Sequence, residues 1–117
     1  FLSLIGLHQR CKVKGTSMEP ALFDGDYVIY SPIKRRDLPI QNGLIVVAKH
    51  PLETKTLMIK RVHQQLKKGI DVRGDNEIES TDSRQFGLIT EANLQGIVRQ
   101  IIPLSRKRKI NFLNHSN

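Results

Sequence analysis

The sequence predicts a mainly β, single-domain fold: a coiled or partly closed β-sheet of short strands. Three observations carry that prediction. The chain has 117 residues, one domain's length, enough to bury roughly two-thirds of its unfolded surface around a single core. Only 5% of its residues are aromatic and none is Trp, so that core must be aliphatic. Its apolar residues fall in about six short runs separated by turn chemistry, with no internal repeat and no low-complexity segment, a pattern that favours sheet over helix bundle.

Each element has its own signal. Residues 1–9 form an apolar N-terminal segment (Leu2, Leu4, Ile5 and Leu7) that begins with Phe rather than Met, so an anchor upstream of Phe1 stays open. Residues 11–15 read as a short strand with Val13 apolar between Lys12 and Lys14, and Pro20 stops regular pairing soon afterwards. Asp24-Gly25-Asp26 is a tight-turn signal, and residues 27–30 follow as a buried strand. Residues 34–39 are a polar surface excursion, ended by Asn42-Gly43. The run over 44–48 is the most apolar in the chain and predicts a central strand.

His50-Pro51 then turns the chain into a strand over 57–62, and Lys67-Lys68-Gly69 closes a hairpin into residues 70–73. Residues 74–84 are a polar loop without periodicity, unusually long for a compact domain unless it has a function. Residues 90–93 predict one helical turn, and 96–102 a last strand before Pro103. The folded domain would thus span 10–104, with 105–117 as a basic C-terminal tail.

Charge bounds the partners. Lys plus Arg number 19 against 11 Asp plus Glu, a net charge of +8, which admits an anionic partner. Residues 34–36 and 106–109 are the two basic clusters; the other cations are scattered among strands and read as a solvated surface rather than a groove. A nucleic-acid-binding barrel would also need an aromatic stacking platform, and four Phe and two Tyr in unrelated places do not supply one. The one cysteine, Cys11, excludes an internal disulfide and fits a reducing compartment. No run approaches the roughly 18 apolar residues of a membrane span, and His8, His50, His63 and His115 show no metal-ligand spacing. No cofactor is expected.

Chemistry concentrates at Gly15-Thr16-Ser17-Met18-Glu19-Pro20. Here a hydroxyl projects from a strand end, and Ser17 reads as a nucleophile. A serine needs a base to take its proton, and the candidate is Lys60 in Leu57-Met58-Ile59-Lys60-Arg61-Val62. Strand alternation sets Lys60 on one face between Met58 and Val62. Such a greasy flank favours the neutral amine, at about 1.4 kcal/mol for each unit by which its pKa falls. Periodicity alone favours the other reading, a strand-end lysine that snorkels to water.

The Ser17 turn, the Lys60-Arg61 strand, and the loop that holds Gly74-Asp75-Asn76 and Ser80-Thr81-Asp82-Ser83-Arg84 resemble, in order and wording, the type I signal peptidase family. The resemblance covers residues 13 to about 99. It implies a signal-peptidase/LexA-like catalytic core in which Ser17 is the nucleophile and Lys60 the general base. Ser80 would orient the amine, while Asp82 and Arg84 form a supporting ion pair. The backbone N–H of Ser17 is the expected oxyanion donor, with any second donor unidentified, since Gly15 stands where some members have a Ser. Ala21 replaces the usual Thr after the motif proline.

The 43 positions between Ser17 and Lys60 leave no room for the large inserted domain of many leader peptidases. The short form, with His50-Pro51 after the central strand, most resembles the branch that matures nickel-type superoxide dismutase. That implies a precursor with an N-terminal leader as partner, no metal in the protease itself, and a cytoplasmic setting, or a membrane-associated one if an anchor precedes Phe1. The alternatives are a leader peptidase fragment lacking its anchor, a LexA-type self-cleaving module, for which the sixteen residues before Ser17 offer no Ala-Gly or Cys-Gly target, and a non-enzymatic nucleic-acid-binding barrel.

Overall fold

A computed structural model describes residues 8–104. The expected N-terminal segment, apart from residues 8 and 9, and the basic tail over 105–117 lie outside the described residues. Six strands form one curled antiparallel sheet: β1 (Gln9–Lys12), β2 (Tyr27–Pro32), β3 (Ile45–Lys49), β4 (Leu57–Leu66), β5 (Gly69–Arg73) and β6 (Leu94–Ile102). Their spatial order is β1-β2-β6-β3-β4-β5, so the last strand enters the middle of the sheet and joins two hairpin-like halves. Every named pair is antiparallel, and β1 and β5 are left as the two edges.

Because the sheet curls, both of its faces bury apolar side chains, and strand alternation sorts them. Val46 and Ala48 of β3 pack with Val62, Val72, Ile89 and Ile97 in one cluster, while Val47 packs with Val13, Met18, Val28 and Ile59 in the other. This explains why β3 reads as continuously apolar: Val46, Val47 and Ala48 are all fully buried. Short turns close the frame. The two-residue Lys67-Lys68 connection sets Leu66 opposite Gly69, and one-turn 3-10 helices occupy Arg35–Asp37 and Glu91–Asn93.

The first strand begins two residues earlier than the sequence suggests and stops at Lys12. Its ladder runs only from Gln9 opposite Tyr30 to Lys12 opposite Tyr27, because β2 itself starts where the 24–26 turn ends. Val13 still docks there, donating its N–H to the Asp26 carbonyl at 2.7 Å and accepting from the Gly25 N–H at 2.9 Å. Asp26 holds the turn together: its buried carboxylate accepts from the Phe23 N–H at 2.9 Å and from the Leu104 N–H at 2.8 Å, tying the end of the domain to its beginning.

At the junction of the two halves Gly96 pairs with both Pro32 and Val47. The Tyr30 ring lies directly across it, so that a methyl there would strike the ring and come within 2.5 Å of the Ser31 carbonyl oxygen. Tyr30 Oη donates onward to Gln9 Oε1 at 3.0 Å. We expect Gly96→Ala to cost about 2 kcal/mol by overpacking. Urea titration measures this, and a loss below about 0.5 kcal/mol, the range of an ordinary surface change, would show that the Tyr30–Gly96 contact does not constrain the sheet.

Candidate active site

Ser17 sits in the turn that follows β1, held from both ends. Upstream, the Gly15 N–H donates to Asp24 Oδ1 at 2.7 Å. Downstream, Met18 and Leu22 are buried in the core and linked by a 2.9 Å bond from the Leu22 N–H to the Met18 carbonyl. Ser17 between them is half-buried. Among the described residues its own N–H donates to no backbone carbonyl, which leaves it available to an oxygen from outside.

The polar loop over 74–84 reaches across and clamps this turn. The Asn76 N–H donates to the Ser17 carbonyl at 2.9 Å, and the Asn76 side-chain amide donates to the Thr16 carbonyl at 3.1 Å. Gly74 is the meeting point: a methyl there would strike Ser80 Oγ and come within 2.7 Å of the Ser17 carbonyl oxygen. Only a residue without a side chain lets the end of β5, the Ser80 hydroxyl and the Ser17 turn approach so closely.

Lys60 comes from β4, opposite Val46, and is 6% exposed. Its Nζ donates to Ser80 Oγ at 3.2 Å. Burial pushes its pKa below lysine's ordinary value; the Asp82 carboxylate pulls it back up, and the Arg84 charge adds to the depression. Ser80 in turn donates its own proton to Asp82 Oδ2 at 2.9 Å. With that proton committed, the Ser80 oxygen faces Lys60 as an acceptor.

Asp82 is fully buried and closes the network. It caps the helical turn Ser83–Phe86 by accepting from the Arg84 N–H at 3.1 Å, accepts from the Gly74 N–H at 2.9 Å, and forms a two-pronged pair with the Arg84 guanidinium at 3.0 and 2.7 Å. Burial alone would raise its pKa. The hydrogen bonds from Arg84, Gly74 and Ser80 outweigh it and hold the carboxyl well below the ordinary carboxylate range. Beside Lys60, Arg61 turns to the other face, where its guanidinium grips Asp75 at 2.9 and 2.8 Å and the Gly43 carbonyl at 2.8 Å.

Ser17 and Lys60 line one cleft of about 780 Å³, together with Met18 and Thr81. From there the cleft runs between β1 and the first residues of β4. The five side chains named from sequence thus fall into one place: Ser17 and Lys60 on the cleft wall, and Lys60, Ser80, Asp82 and Arg84 in one hydrogen-bonded chain. Sequence reasoning gave no individual role to Asn76, which pins the Ser17 turn, or to His50, which lines the cleft with its ring 4.9 Å from Phe86. Asn76 lay within a quoted motif; for His50 only its position after the central strand was a signal. Cys11 also lines the cleft, but burial pushes its thiol pKa up, with Lys14 only partly opposing, which disfavours the reactive thiolate.

The sequence model described as signal peptidase, peptidase S26, matches residues 1–63, a stretch that contains both Ser17 and Lys60. Mitochondrial inner membrane protease subunit 1 from Homo sapiens is 34% identical, with 78% of this chain and 68% of that protein covered. The same subunit from Mus musculus is 32% identical at the same coverage, and that from Xenopus tropicalis is 31% identical with 77% and 66% covered. The chain spans about two-thirds of the length of these relatives. A mainly β core, a match over more than half of the sequence and these relatives agree: the chain belongs to the peptidase S26 signal peptidase family, serine-type enzymes that remove leader peptides from precursor proteins.

Proposed function

We propose that Ser17 and Lys60 are the catalytic pair of this peptidase, and that its substrate is a precursor whose N-terminal leader it removes, nickel superoxide dismutase being the first candidate. One observation carries the catalytic assignment: the Lys60 amine is buried, its pKa is depressed, it hydrogen-bonds to an uncharged hydroxyl, and it lines the cleft that also holds Ser17. Because Ser80 accepts a hydrogen bond from the amine, the nitrogen lone pair is free to point at Ser17. Lys60 takes the Ser17 proton as Oγ attacks the scissile carbonyl, and the Ser17 N–H receives the developing oxyanion. Lys60 then returns the proton to the leaving amine, takes another from the water that attacks the acyl group, and hands it to Ser17 Oγ as the ester bond breaks.

An extended substrate has two strand edges available. β1 is an edge strand, and residues 57–60 of β4 pair only with β3, since pairing with β5 begins at Arg61. Main-chain bonds to such edges position a peptide for cleavage. The nickel superoxide dismutase assignment and a cytoplasmic setting follow from the compact form of the motifs. A second reading, a leader peptidase working at a membrane, is favoured by the relatives' description as inner membrane proteases and by Ile101, Ile102 and Leu104 standing exposed beside the basic tail. Purified protein offered a nickel superoxide dismutase precursor and an unrelated leader-bearing precursor decides between them: cleavage of the first alone fits the first reading.

Ser17→Ala and Lys60→Ala each lower kcat by about 1,000-fold or more with that precursor, and undiminished cleavage in either refutes the pair. Since the amine must be neutral, kcat/KM rises with pH through the Lys60 pKa, at a midpoint below lysine's ordinary value; a profile flat or falling across the alkaline range contradicts the assignment. Lys60→Met, inactive, unfolds at a higher temperature than wild type, by an amount equivalent to about 1 kcal/mol at neutral pH, because a buried amine has been replaced by an apolar chain. A lower melting temperature overturns that expectation.

Asp82→Asn removes the buried carboxylate that accepts from Arg84, Gly74 and Ser80 and lowers stability at pH 7 well beyond the range of an ordinary surface change. The folded-state pKa of Asp82 lies below its unfolded value, so this contribution is complete above about pH 4 and is lost as pH falls through the lower, folded value. Urea titrations of wild type and variant should therefore converge in strong acid, and a gap unchanged by acid would assign the loss to something other than the ionised carboxylate.

A further inference from the structure

Four cations that look scattered in the sequence meet on the walls of the cleft. Arg10, Lys12 and Lys14 come from β1 and its continuation, at alternate positions that leave Cys11 and Val13 facing inward. Lys55 stands just ahead of β4. All four are exposed, and no Asp or Glu lines the cleft. Among the described residues none of the four forms an ion pair; the Arg10 guanidinium rests 5.2 Å from the centre of the Tyr27 ring, a contact that keeps its charge. Elsewhere Arg61 pairs with Asp75, Arg73 with Asp71 and Arg84 with Asp82, while Arg35, Arg36 and Arg99 stand outside any ion pair among the described residues. The cleft is distinguished by gathering four unmatched cations along a peptide-sized groove that also holds Ser17 and Lys60, with no carboxylate among its lining residues.

A peptide extended along this cleft passes between Arg10 and Lys12 of β1 and Lys55. Lys55 lies in the turn two residues ahead of β4 and five positions before Lys60, so at up to about 3.3 Å per residue it reaches at most roughly five substrate residues from the scissile bond. We propose that the cleft selects precursors with acidic side chains in the segment laid along it, about two to five residues from the cleaved bond. This rests on the reading of Ser17 and Lys60 as the catalytic pair. The selectivity is electrostatic: carboxylates on the peptide complete the ion pairs that the fold leaves open, whereas lysines there repel.

Fluorescein-labelled peptides of one leader–mature junction test it, differing only in two Glu, two Gln or two Lys at those positions, placed on the leader side in one series and the mature side in another. Anisotropy with full-chain Ser17→Ala protein reads binding without chemistry. In one of the two series the Glu peptide should bind about 10-fold tighter than its Gln counterpart at low salt, and the Lys peptide more weakly still. The advantage should fall towards unity at about 1 M salt and in the Arg10→Gln/Lys12→Gln/Lys55→Gln variant. Equal affinity of Glu and Gln peptides in both series, or a preference that survives in the triple variant, overturns the proposal. Wild-type protein given the same peptides separates the two claims: selective binding without cleavage sinks the catalytic pair alone, and cleavage without selectivity sinks charge selection alone.

Discussion

A lysine amine held out of water beside a neutral oxygen is the constraint that the rest of this structure serves. Each unit by which burial lowers its pKa costs about 1.4 kcal/mol, a substantial share of the roughly 5–15 kcal/mol that keeps a domain folded. The surrounding network limits that cost without giving the amine a counter-ion. Asp82 is close enough to pull the Lys60 pKa upward, yet its hydrogen bonds go to Ser80, Gly74 and Arg84 rather than to the amine. The serine hydroxyl thus passes on the carboxylate's orienting effect while keeping its charge one group away, and Arg84 neutralises that charge from the far side.

Topology delivers these parts to one place. β4 carries the amine and is fixed on one side by β3, which is buried on both faces. Its other side is released just before Arg61, where β5 runs out into Gly74 and the polar loop. Arg61, one residue beyond the amine, holds that loop at Asp75, and Asn76 in the same loop holds the Ser17 turn. Two adjacent loop residues therefore couple the Lys60 strand to the Ser17 turn, with Gly74 admitting both.

Much of this was legible in the sequence because it depends on local pattern. β3 announces itself through an unbroken apolar run, the Lys67-Lys68-Gly69 hairpin through its turn, and the site through three motifs whose residues must sit close to one another. What escaped depends on distant pairing. No local signal places β6 between β2 and β3, and β4 extends to Leu66 through His63, Gln64 and Gln65, exposed or half-exposed residues with no strand pattern of their own. The helical turn Ser83–Phe86 is too short to show a period; its cap, Asp82, stood out only as a charge. The basic cleft is the sharpest case. Arg10, Lys12 and Lys14 look like the wet side of a strand and Lys55 like a loop residue, and only the curl of the sheet makes them walls of one groove.

The ionisation of Lys60 can be read directly. With 13C placed at lysine Cε, a pH titration followed by NMR, and Lys60→Met to identify the resonance, Lys60 should titrate below lysine's ordinary value, with a midpoint that Ser80→Ala alters. A Lys60 resonance that titrates at lysine's ordinary value would mean that the amine is solvated and charged at neutral pH, and would contradict the role proposed for it as a base.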